Sequence, residues 1–263
     1  MPSQYRPIGP VNWLGLWTLY LKEVRRFFKV PAQTVVAPVA TTLLFLAIFA
    51  LALGGAGRSV GGVPYLEFLA PGLAMMAVLQ NAFANTSSSL MIAKVQGNIV
   101  DLLMPPLSPG ELLLGLALGG VTRGIICGAA IVLAIQPFVP MAPLHWGFAL
   151  FHLVAASLMM ACLGAIAAIW AEKFEQMAAI TNFVVTPLAF LSGTFYSVER
   201  LPGVVHAISQ FNPFFYAIDG FRYDFIGHAD GSLAAGVAML LAVNAALWLL
   251  TYRMLASGYK LKP

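Results

Sequence analysis

Four polar side chains that lie within long apolar stretches are the first candidates for chemistry in this sequence. Asn81, Asn85 and Ser88 are spaced by four and three residues, which places them on one face of a helix, and Arg123 lies near the middle of the next apolar stretch. A polar group in apolar surroundings is costly unless it contacts protein or water. The Asn81–Ser88 face therefore has two equal interpretations, hydrogen bonding between helices or the lining of a translocation path. Arg123 is a functional candidate, although snorkelling or a structural ion pair explains such an arginine equally well.

Side chains for hydrolytic or metal chemistry are present but poorly spaced. Ser192 lies in the stretch FLSGTF, where Phe190 stands in place of the glycine that begins the G-x-S-G pattern of intramembrane serine proteases. An intramembrane protease remains an alternative that a proteolysis assay would test. The histidines and cysteines show neither metal-ligand spacing nor a disulfide framework. We expect buried thiols at Cys127 and Cys162, and surface or packing roles for His145, His152, His206 and His228.

The composition is that of an integral membrane protein. The chain contains 263 residues, of which 60% are hydrophobic and 9% are charged, whereas soluble domains carry roughly 25% charged residues. The formal net charge of +4 could indicate nucleic acid binding, but membrane topology explains the basic residues without a nucleic acid partner. No cleavable signal peptide is expected, because the first long apolar stretch begins only near Gln33.

Six stretches are long and apolar enough to cross a bilayer, since a span needs about 20 predominantly apolar residues. They are 33–53, 66–92, 111–135, 146–170, 176–196 and 232–252. An even number of spans places both termini on the same side of the membrane. The sequence therefore predicts an all-α integral membrane fold, with a cytoplasmic N-terminal segment at 1–32 and a six-helix transmembrane domain at 33–263.

The distribution of basic residues sets the orientation of these spans. With both termini in the cytoplasm, the inner segments contain Arg6, Lys22, Arg25, Arg26, Lys29, Lys94, Lys173, Arg253, Lys260 and Lys262. The outer loops then contain only Arg58, Arg200 and Arg222. Because basic residues accumulate in cytoplasmic loops, we predict that both the N-terminus and the C-terminus are cytoplasmic.

The segment before the first span has the pattern of an amphipathic helix. Apolar residues recur at helical spacing, at positions 13, 16, 17, 20, 21, 24, 27 and 28. The opposite face is basic and consists of Lys22, Arg25, Arg26 and Lys29. A basic amphipathic helix with tryptophans is typical of the inner membrane interface, so we predict an interfacial helix in contact with membrane lipid. Packing on a soluble partner is the alternative.

Capping signals mark the start of the third span. Ser108 is a good N-cap, Pro109 suits the first helical position, and Glu111 completes a capping box. The same helix carries small residues four positions apart, which allow close approach of helices. We expect these residues to pack within the helix bundle; they are Gly115, Gly119, Gly120, Gly124 and Gly128.

The stretch QGNIVDLLMPPLSPGE, at 96–111, connects the second and third spans. It contains three prolines and a cluster of apolar residues, so it is too short and too interrupted to cross a bilayer. It is also more apolar than a solvated loop requires. The pattern favours a cytoplasmic loop that contacts a partner protein, and coverage by the chain's own helices is the alternative.

The segment at 197–231, between the last two spans, is longer than a connection requires. Asn212 and Pro213 form the start signal of a short helix, on which Asp219 and Arg222 are close enough to pair. We predict a re-entrant helical hairpin in the outer leaflet, with a surface amphipathic loop as the alternative. Its aromatic residues suit an interfacial belt; they are Phe211, Phe214, Phe215, Tyr216, Phe221, Tyr223 and Phe225.

Together these features resemble the ABC-2 type transporter permeases. The resemblance rests on the amphipathic lead helix, the six spans, GNIVDLLMPPLSP after the second span, and the outer stretches FLSGTFYSVERLP and ISQFNPFFYAIDGFRY. PGLAMMAVLQNAFANTSSSL in the second span is similar too. The likeness covers nearly the whole chain. It is closest to the bacterial branch that exports drugs, nodulation factors and polysaccharides.

The resemblance implies a permease subunit in the bacterial inner membrane that works with a separate ABC ATPase subunit. A second permease copy would complete a homodimer or a heterodimer. The sequence contains no G-x-x-x-x-G-K-[ST] motif for nucleotide phosphates, so we expect no cofactor in this chain and expect ATP and Mg²⁺ to bind to the ATPase. In the family, the loop after the second span docks on the ATPase with help from the N-terminal helix. The residues carried over to that role are Gly97, Asp101, Leu102, Leu103, Pro105, Leu107, Ser108, Arg25 and Arg26.

An ion-driven secondary transporter is the main functional alternative. Such a transporter needs acidic residues inside the membrane, whereas Glu67 lies near an outer end and Asp219 and Asp224 lie in the outer segment. For an exporter, the aromatic outer hairpin suits a gate for an amphiphilic substrate, such as a drug, a lipid or a lipid-linked saccharide. The gate residues we predict are Asn212, Pro213, Tyr216, Asp219 and Arg222.

Overall fold

The computed structural model describes residues 9–53 and 59–261. Arg6, Arg58 and Lys262, which entered the charge count, lie outside the described residues. The described chain is mainly helical, in agreement with the predicted class. Its helices are α1 (Trp13–Phe28), α2 (Ala37–Leu53), α3 (Tyr65–Val95), α4 (Ile99–Leu103), α5 (Pro109–Ile135), α6 (Trp146–Trp170), α7 (Phe174–Ile180), α8 (Thr186–Phe190), α9 (Gly203–Gln210), α10 (Pro213–Ile226) and α11 (Leu233–Ser257).

A small β-hairpin lies between α2 and α3. Strand β1 (Ser59–Val60) pairs antiparallel with β2 (Val63–Pro64). Gly61 and Gly62 form the turn, with φ angles of +58° and +82° that favour glycine. This hairpin was not predicted, although a Gly-Gly pair between short apolar segments is a signal for one.

Five helical segments of the described chain are long and apolar enough to cross a membrane. They are Ala32–Ala52, Tyr65–Val95, Pro109–Ile135, Trp146–Trp170 and Leu233–Ser257. The first begins with a π-helical turn, Ala32–Val36, that continues into α2. These segments coincide with five of the six predicted spans and agree with a multi-pass membrane protein.

The predicted span at 176–196 takes a different form. It contains α7, a π-helical turn (Thr181–Val185) and α8, which follow one another directly and have 7, 5 and 5 residues. This stretch is shorter than the roughly 20 residues of a usual span. It ends early because the chain turns at Gly193, whose φ of +71° suits a helix C-terminus. The sixth span of the prediction depends on this segment.

Helix α3 is the centre of the fold. It packs against α2, α5, α6 and α10, and most of its side chains are buried as far as Met91. In contrast, α2 and α11 leave much apolar surface exposed; Leu51 is 89% exposed and Leu249 is 57% exposed. Apolar helices with this much free surface require lipid or another subunit around them.

Small residues on α5 allow neighbouring helices to approach it closely. A Cβ atom on Gly120 would lie 2.8 Å from the Cβ of Ala161 on α6. A Cβ on Gly115 would lie 2.6 Å from the Leu19 side chain on α1. The glycine series therefore serves packing within one chain, as the sequence analysis expected.

We predict that Gly120→Ala destabilises the protein. The new methyl group would clash with the Cβ of Ala161 and would lie 3.3 Å from the Ala82 carbonyl oxygen, and neither atom can move by a side-chain rotation. Overpacking of this kind costs about 1–3 kcal/mol, more than the roughly 1 kcal/mol that alanine gains in helix propensity. Thermal unfolding in detergent should show a lower midpoint. Gly147→Ala is the control, because nothing lies within 4 Å of a Cβ at that position. A midpoint for Gly120→Ala at or above that of the unmodified protein would contradict the packing argument.

Candidate functional site

The loop between α3 and α5 is ordered by local contacts at both ends. Gly97 follows α3 with a φ of +74°, which turns the chain into α4. At the other end, Ser108 Oγ accepts a hydrogen bond from the Glu111 backbone N–H (3.3 Å), and Glu111 Oε2 accepts one from the Ser108 N–H (2.6 Å). This reciprocal pair confirms the predicted capping box.

The apolar cluster of this loop divides into two sets. Ile99 and Leu102 are buried against the rest of the chain, whereas Val100 and Met104 are 48% and 77% exposed. Asp101 and Pro105 are exposed as well, and Leu103 and Leu107 are partly buried. Short helix α4 therefore exposes an apolar surface with one acidic residue.

Asn12 connects the start of α1 to this loop. Its backbone N–H donates to Glu111 Oε1 (2.5 Å), and its side-chain amide donates to the Pro106 carbonyl (3.1 Å). Asn12 Oδ1 also caps α1 by accepting from the Gly15 N–H (2.9 Å). Glu111 thus holds the first residues of α1 and α5 together.

The N-terminal half of α1 and the loop enclose a recess of about 720 Å³. From the predicted coupling residues, the recess contains Asp101, Leu102, Pro105 and Leu107. From α1 and the residues before it, the lining includes Asn12, Trp13, Leu14, Thr18 and Lys22. Gly97 and Ser108 bound the loop, and Arg25 and Arg26 lie outside the recess lining. The structure therefore brings together the loop residues of the prediction and separates them from the two arginines.

An ion pair within α1 forms hydrogen bonds to α3. Glu23 is fully buried, and its carboxylate accepts hydrogen bonds from Arg26 Nη2 (3.1 Å) and Ser89 Oγ (2.7 Å). Arg26 also donates to the Asn85 carbonyl (2.6 Å) and to Ser88 Oγ (3.0 Å). We call these five residues the polar junction. Removal of one partner would leave a charge that is costly to bury, so the junction fixes the position of α1 on α3.

Gly119 on α5 makes the junction possible. A Cβ at this position would lie 2.6 Å from the Cβ of Glu23 and 3.2 Å from the Asn85 amide nitrogen. Only a residue without a side chain leaves room for both groups. The three helices α1, α3 and α5 therefore meet at one point.

Arg123 finds its partner one turn further along α5. Its Nη2 and Nε atoms donate to Asn81 Oδ1 at 3.0 and 3.3 Å. Asn81, Asn85 and Ser88 therefore all contact arginines in this structure, the last two through Arg26. These contacts are hydrogen bonds between helices, the first of the two interpretations. A role in a translocation path stays a prediction.

Helix α1 runs alongside α5 in the same direction. The contact at Asn12 joins the first residues of both helices. Further along, Tyr20 Oη and Thr122 Oγ1 are 3.1 Å apart, and beyond α1 the Cys127 thiol donates to the Thr34 carbonyl (2.9 Å). Because these contacts advance together along both segments, α1 follows α5 lengthwise. The position of α1 at the membrane interface stays a prediction.

Hydrogen bonds also connect the helix ends that the charge count assigned to the cytoplasm. Lys94 Nζ on α3 donates to the carbonyls of Ala168 and Ile169 at the end of α6, at 3.1 and 2.8 Å. Lys260 Nζ donates to Glu172 Oε1 (2.9 Å). This hydrogen bond lowers the pKa of the Glu172 carboxyl and raises the pKa of Lys260.

Two short helices, α9 and α10, occupy the predicted outer hairpin. Asn212 caps α10 by accepting from the Phe214 N–H (3.0 Å), and Pro213 is its first residue. Tyr216 packs near Gly236 on α11. Entry of this hairpin into the membrane stays a prediction.

Arg222 fastens α10 to the centre of the fold. The residue is fully buried; its Nε donates to the Phe68 carbonyl on α3 (3.1 Å) and its Nη2 to the Gly193 carbonyl (2.6 Å). The guanidinium also stacks over the Phe68 ring, 3.8 Å from its centroid. Its Nη1 lies 3.7 Å from Asp219 Oδ1, as the predicted pair requires.

Asp219 organises the segment after α10. Its two carboxylate oxygens accept from the backbone N–H groups of Asp230 and Gly231, each at 2.9 Å. The aromatic residues of α10 differ from the predicted interfacial belt, because α10 packs against α3, α6 and α11. Phe214 and Phe221 are therefore 2% and 4% exposed, whereas Phe211 before α10 is 80% exposed.

Ser192 is engaged in structural hydrogen bonds. Its hydroxyl donates to the Leu188 carbonyl and accepts from the Asn212 side-chain amide (3.0 Å). Neither group is a base that could activate the hydroxyl as a nucleophile. The geometry gives no support to the protease alternative.

Two residues that the structure makes important were not predicted from the sequence. Glu23 was not singled out because basic residues surround it in the sequence. Its position three residues before Arg26 is nevertheless typical of an ion pair within a helix. Asp224, assigned to an outer loop, is buried with its Oδ2 3.5 Å from His152 Nδ1. No local pattern in the sequence predicts that second contact, because it joins α10 to α6.

Comparisons with known proteins agree with this architecture. The sequence profile of the family described as ABC-2 type transporter matches residues 15–226. The chain is 34% identical to the inner membrane transport permease YadH of Escherichia coli (strain K12) over 250 residues, which cover 95% of this chain and 98% of that protein. It is 26% identical to nodulation protein J of Rhizobium leguminosarum bv. trifolii over 84% of each chain. The chain therefore belongs to the ABC-2 type transporter family and is a multi-pass permease of the inner membrane.

Proposed function

We propose that this chain is the membrane subunit of an exporter that moves an amphiphilic substrate outward with energy from a separate ABC ATPase. The observation that carries the proposal is the recess between α1 and the loop, next to the exposed apolar side chains of α4. A surface of this kind on a membrane protein marks a contact with another protein. ATP and Mg²⁺ would bind to the ATPase.

The proposed topology has six spans with both termini in the cytoplasm. The five long apolar helices supply five spans, and the stretch from α7 to α8 supplies the short remaining one. Helices α9 and α10 would then dip back into the outer leaflet. The recess between α1 and the loop would face the cytoplasm, where an ATPase can reach it.

The contacts support a route for movement from the ATPase to the spans. A force on α4 reaches Glu111 through the loop, and Glu111 holds Asn12 at the start of α1. Helix α1 transfers the force to α3 through the hydrogen bonds of Glu23 with Ser89 and of Arg26 with Asn85. Because direct hydrogen bonds join α1 to the start of α5 and to α3, the three helices would move as one unit.

A cavity in the proposed outer half of the protein supports the proposal that the substrate is amphiphilic. An apolar cavity of about 630 Å³ lies between α5, α6 and α10, and its lining includes Val132, Leu153, Phe221 and Phe225. Gln136, just beyond the end of α5, adds a polar group to the lining. Apolar surface with one polar group suits a molecule that has a hydrocarbon part and a polar part. Substrate exit would require movement of α10, which Arg222 couples to α3.

A second permease copy would complete the transporter as a homodimer or a heterodimer. The exposed apolar surfaces of α2 and of the α7–α8 stretch support this expectation; Leu44 is 61% exposed and Phe183 is 81% exposed. The part of these surfaces that the second copy leaves free would contact membrane lipid.

The proposed topology predicts which end of α11 faces outward. Ser232 and Ser257 stand at its two ends and are exposed, and the native cysteines Cys127 and Cys162 are buried. In intact cells, an impermeant thiol reagent should label Ser232→Cys, whereas Ser257→Cys should react only after permeabilisation. Labelling of Ser257→Cys in intact cells would show that α11 has the opposite orientation and would contradict the proposed topology.

The docking surface is tested by Val100→Asp/Met104→Asp. Both side chains are exposed in this chain alone, so the variant should fold, and burial of unpaired charge at a protein contact costs several kcal/mol. We expect affinity purification from native membranes to recover the permease without an ABC ATPase. Phe138→Asp/Leu144→Asp in the loop between α5 and α6 is the matched control, since these residues are 70% and 58% exposed. Retention of the ATPase by the α4 variant would refute the docking surface.

The polar junction predicts that Arg26→Ala uncouples transport from hydrolysis. The substitution leaves Glu23 buried without its ion-pair partner and should lower the free energy of unfolding by roughly 2–3 kcal/mol. This cost is at or below the range for fully buried pairs, because Arg26 is partly exposed. In proteoliposomes, ATP hydrolysis by the complex should persist while efflux of a fluorescent amphiphile per ATP falls several-fold.

Two further variants make the junction experiment specific. Glu23→Gln/Arg26→Gln removes both charges without leaving an unpaired one, so it should fold normally and still lose coupling. Arg253→Ala, at an exposed arginine of α11, should match the unmodified complex. Normal efflux per ATP in both junction variants would show that α1 does not transmit force through this contact.

A further inference from the structure

Helix α1 has three distinct faces around its axis. The first is buried against α3 and α5 and contains Leu16, Leu19, Glu23 and Phe27. At 100° per residue, Trp13, Trp17 and Phe28 fall on a second face and are 71%, 55% and 50% exposed. The third face is basic and contains Lys22, Arg25 and Lys29, all exposed.

The basic face forms a recess that is not neutralised within the chain. The recess has a volume of about 560 Å³ and is lined by Thr18, Leu21, Lys22, Arg25, Arg26 and Lys29. Its lining includes no carboxylate, and none of the ion pairs in the described part of the chain uses Lys22, Arg25 or Lys29. Arg26, by contrast, is committed to Glu23 in the polar junction. Three free cations therefore share one concave surface.

The position of this recess along the chain distinguishes it from the recess shared with the loop. The loop recess uses the N-terminal half of α1, from Asn12 to Lys22. The basic recess extends to Lys29, only three residues before Ala32, where the first long apolar segment begins. Side chains this close to a spanning helix lie at the level of phospholipid head groups.

We propose that Lys22, Arg25 and Lys29 form a binding site for the phosphate head group of an anionic phospholipid. The guanidinium of Arg25 can donate two parallel hydrogen bonds to phosphate oxygens, and the ammonium groups add positive charge on either side. Trp17 and Phe28, on the adjacent face, would contact the acyl chains below the head group. The assignment rests on the proposed topology, which places this end of α1 at the inner leaflet.

The proposed lipid site gives Arg25 a role other than ATPase coupling. The family resemblance placed Arg25 and Arg26 together in ATPase coupling, whereas the structure gives them different surroundings. Arg26 holds α1 on α3, and Arg25 faces the basic recess outside the loop recess. Occupation by an anionic lipid would neutralise the repulsion between three like charges and so stabilise α1 at its place beside α5.

The experiment uses the full-length chain in nanodiscs of phosphatidylcholine that contain increasing fractions of phosphatidylglycerol. Native mass spectrometry counts the phosphatidylglycerol molecules retained by the unmodified chain and by Arg25→Gln/Lys29→Gln. Because each basic residue near the surface contributes a factor of about five to anionic lipid binding, the double variant should bind phosphatidylglycerol roughly 30-fold more weakly. Its unfolding midpoint in pure phosphatidylcholine should not be lower than that of the unmodified chain.

Two controls make the result specific. Lys173→Gln/Arg253→Gln removes the same charge from exposed positions outside the recess and should retain binding; an equal loss would show a general charge effect and overturn the site. Arg25→Lys should bind less tightly than arginine but more tightly than glutamine. Displacement of the lipid by millimolar inorganic phosphate would show a free-anion site and overturn the lipid assignment.

The ATPase provides the remaining test. Affinity purification of Arg25→Gln/Lys29→Gln should still recover the ABC ATPase, because the loop recess is intact. Loss of the ATPase with unchanged phosphatidylglycerol binding would mean that the basic face contacts protein, which would refute the lipid site. Lipid binding is measured on the permease alone, so its failure is distinguishable from failure of the proposed exporter function.

Discussion

The fold depends on the need of α3 to satisfy polar groups in the middle of an apolar bundle. Three arginines from three other helices meet this need at successive points along α3. Arg26 of α1 donates to Asn85 and Ser88, Arg123 of α5 donates to Asn81, and Arg222 of α10 donates to the Phe68 carbonyl. Because an unpaired polar group or charge in such surroundings costs several kcal/mol, none of these helices can leave α3 without a large penalty.

In the proposed topology, this constraint would couple the loop between α3 and α5 to the predicted outer hairpin. At one end of α3, Glu111 and Asn12 join the loop to α1, and the polar junction joins α1 to α3. At the other end, Arg222 joins α3 to α10 and to the turn at Gly193. If the energy comes from a separate ATPase, as proposed, α3 would carry movement from the cytoplasmic surface to the outer surface.

The sequence predicted the features that depend on local pattern. The helical class, the capping box at Ser108 and the helix start at Asn212 follow from periodicity and capping chemistry, and the structure has all three. The partners of Arg26, Arg123 and Arg222 could not be predicted, because each lies on a helix distant in the chain. Amphipathicity predicted α1 as an interfacial helix, but it could not predict that α1 packs lengthwise against the glycines of α5.

The central claim is that α1, α3 and α5 move as one unit when the ATPase binds ATP. Spin labels at Trp17→Cys on α1 and Gln136→Cys beyond the outer end of α5, both exposed, report this directly by pulsed electron paramagnetic resonance on the reconstituted complex. The account predicts a narrow distance distribution between the two labels of one copy that is the same without nucleotide and with ATP trapped by vanadate, and a broader one when Arg26→Ala is added. A shift of the distance on ATP binding in the otherwise unmodified complex would contradict it.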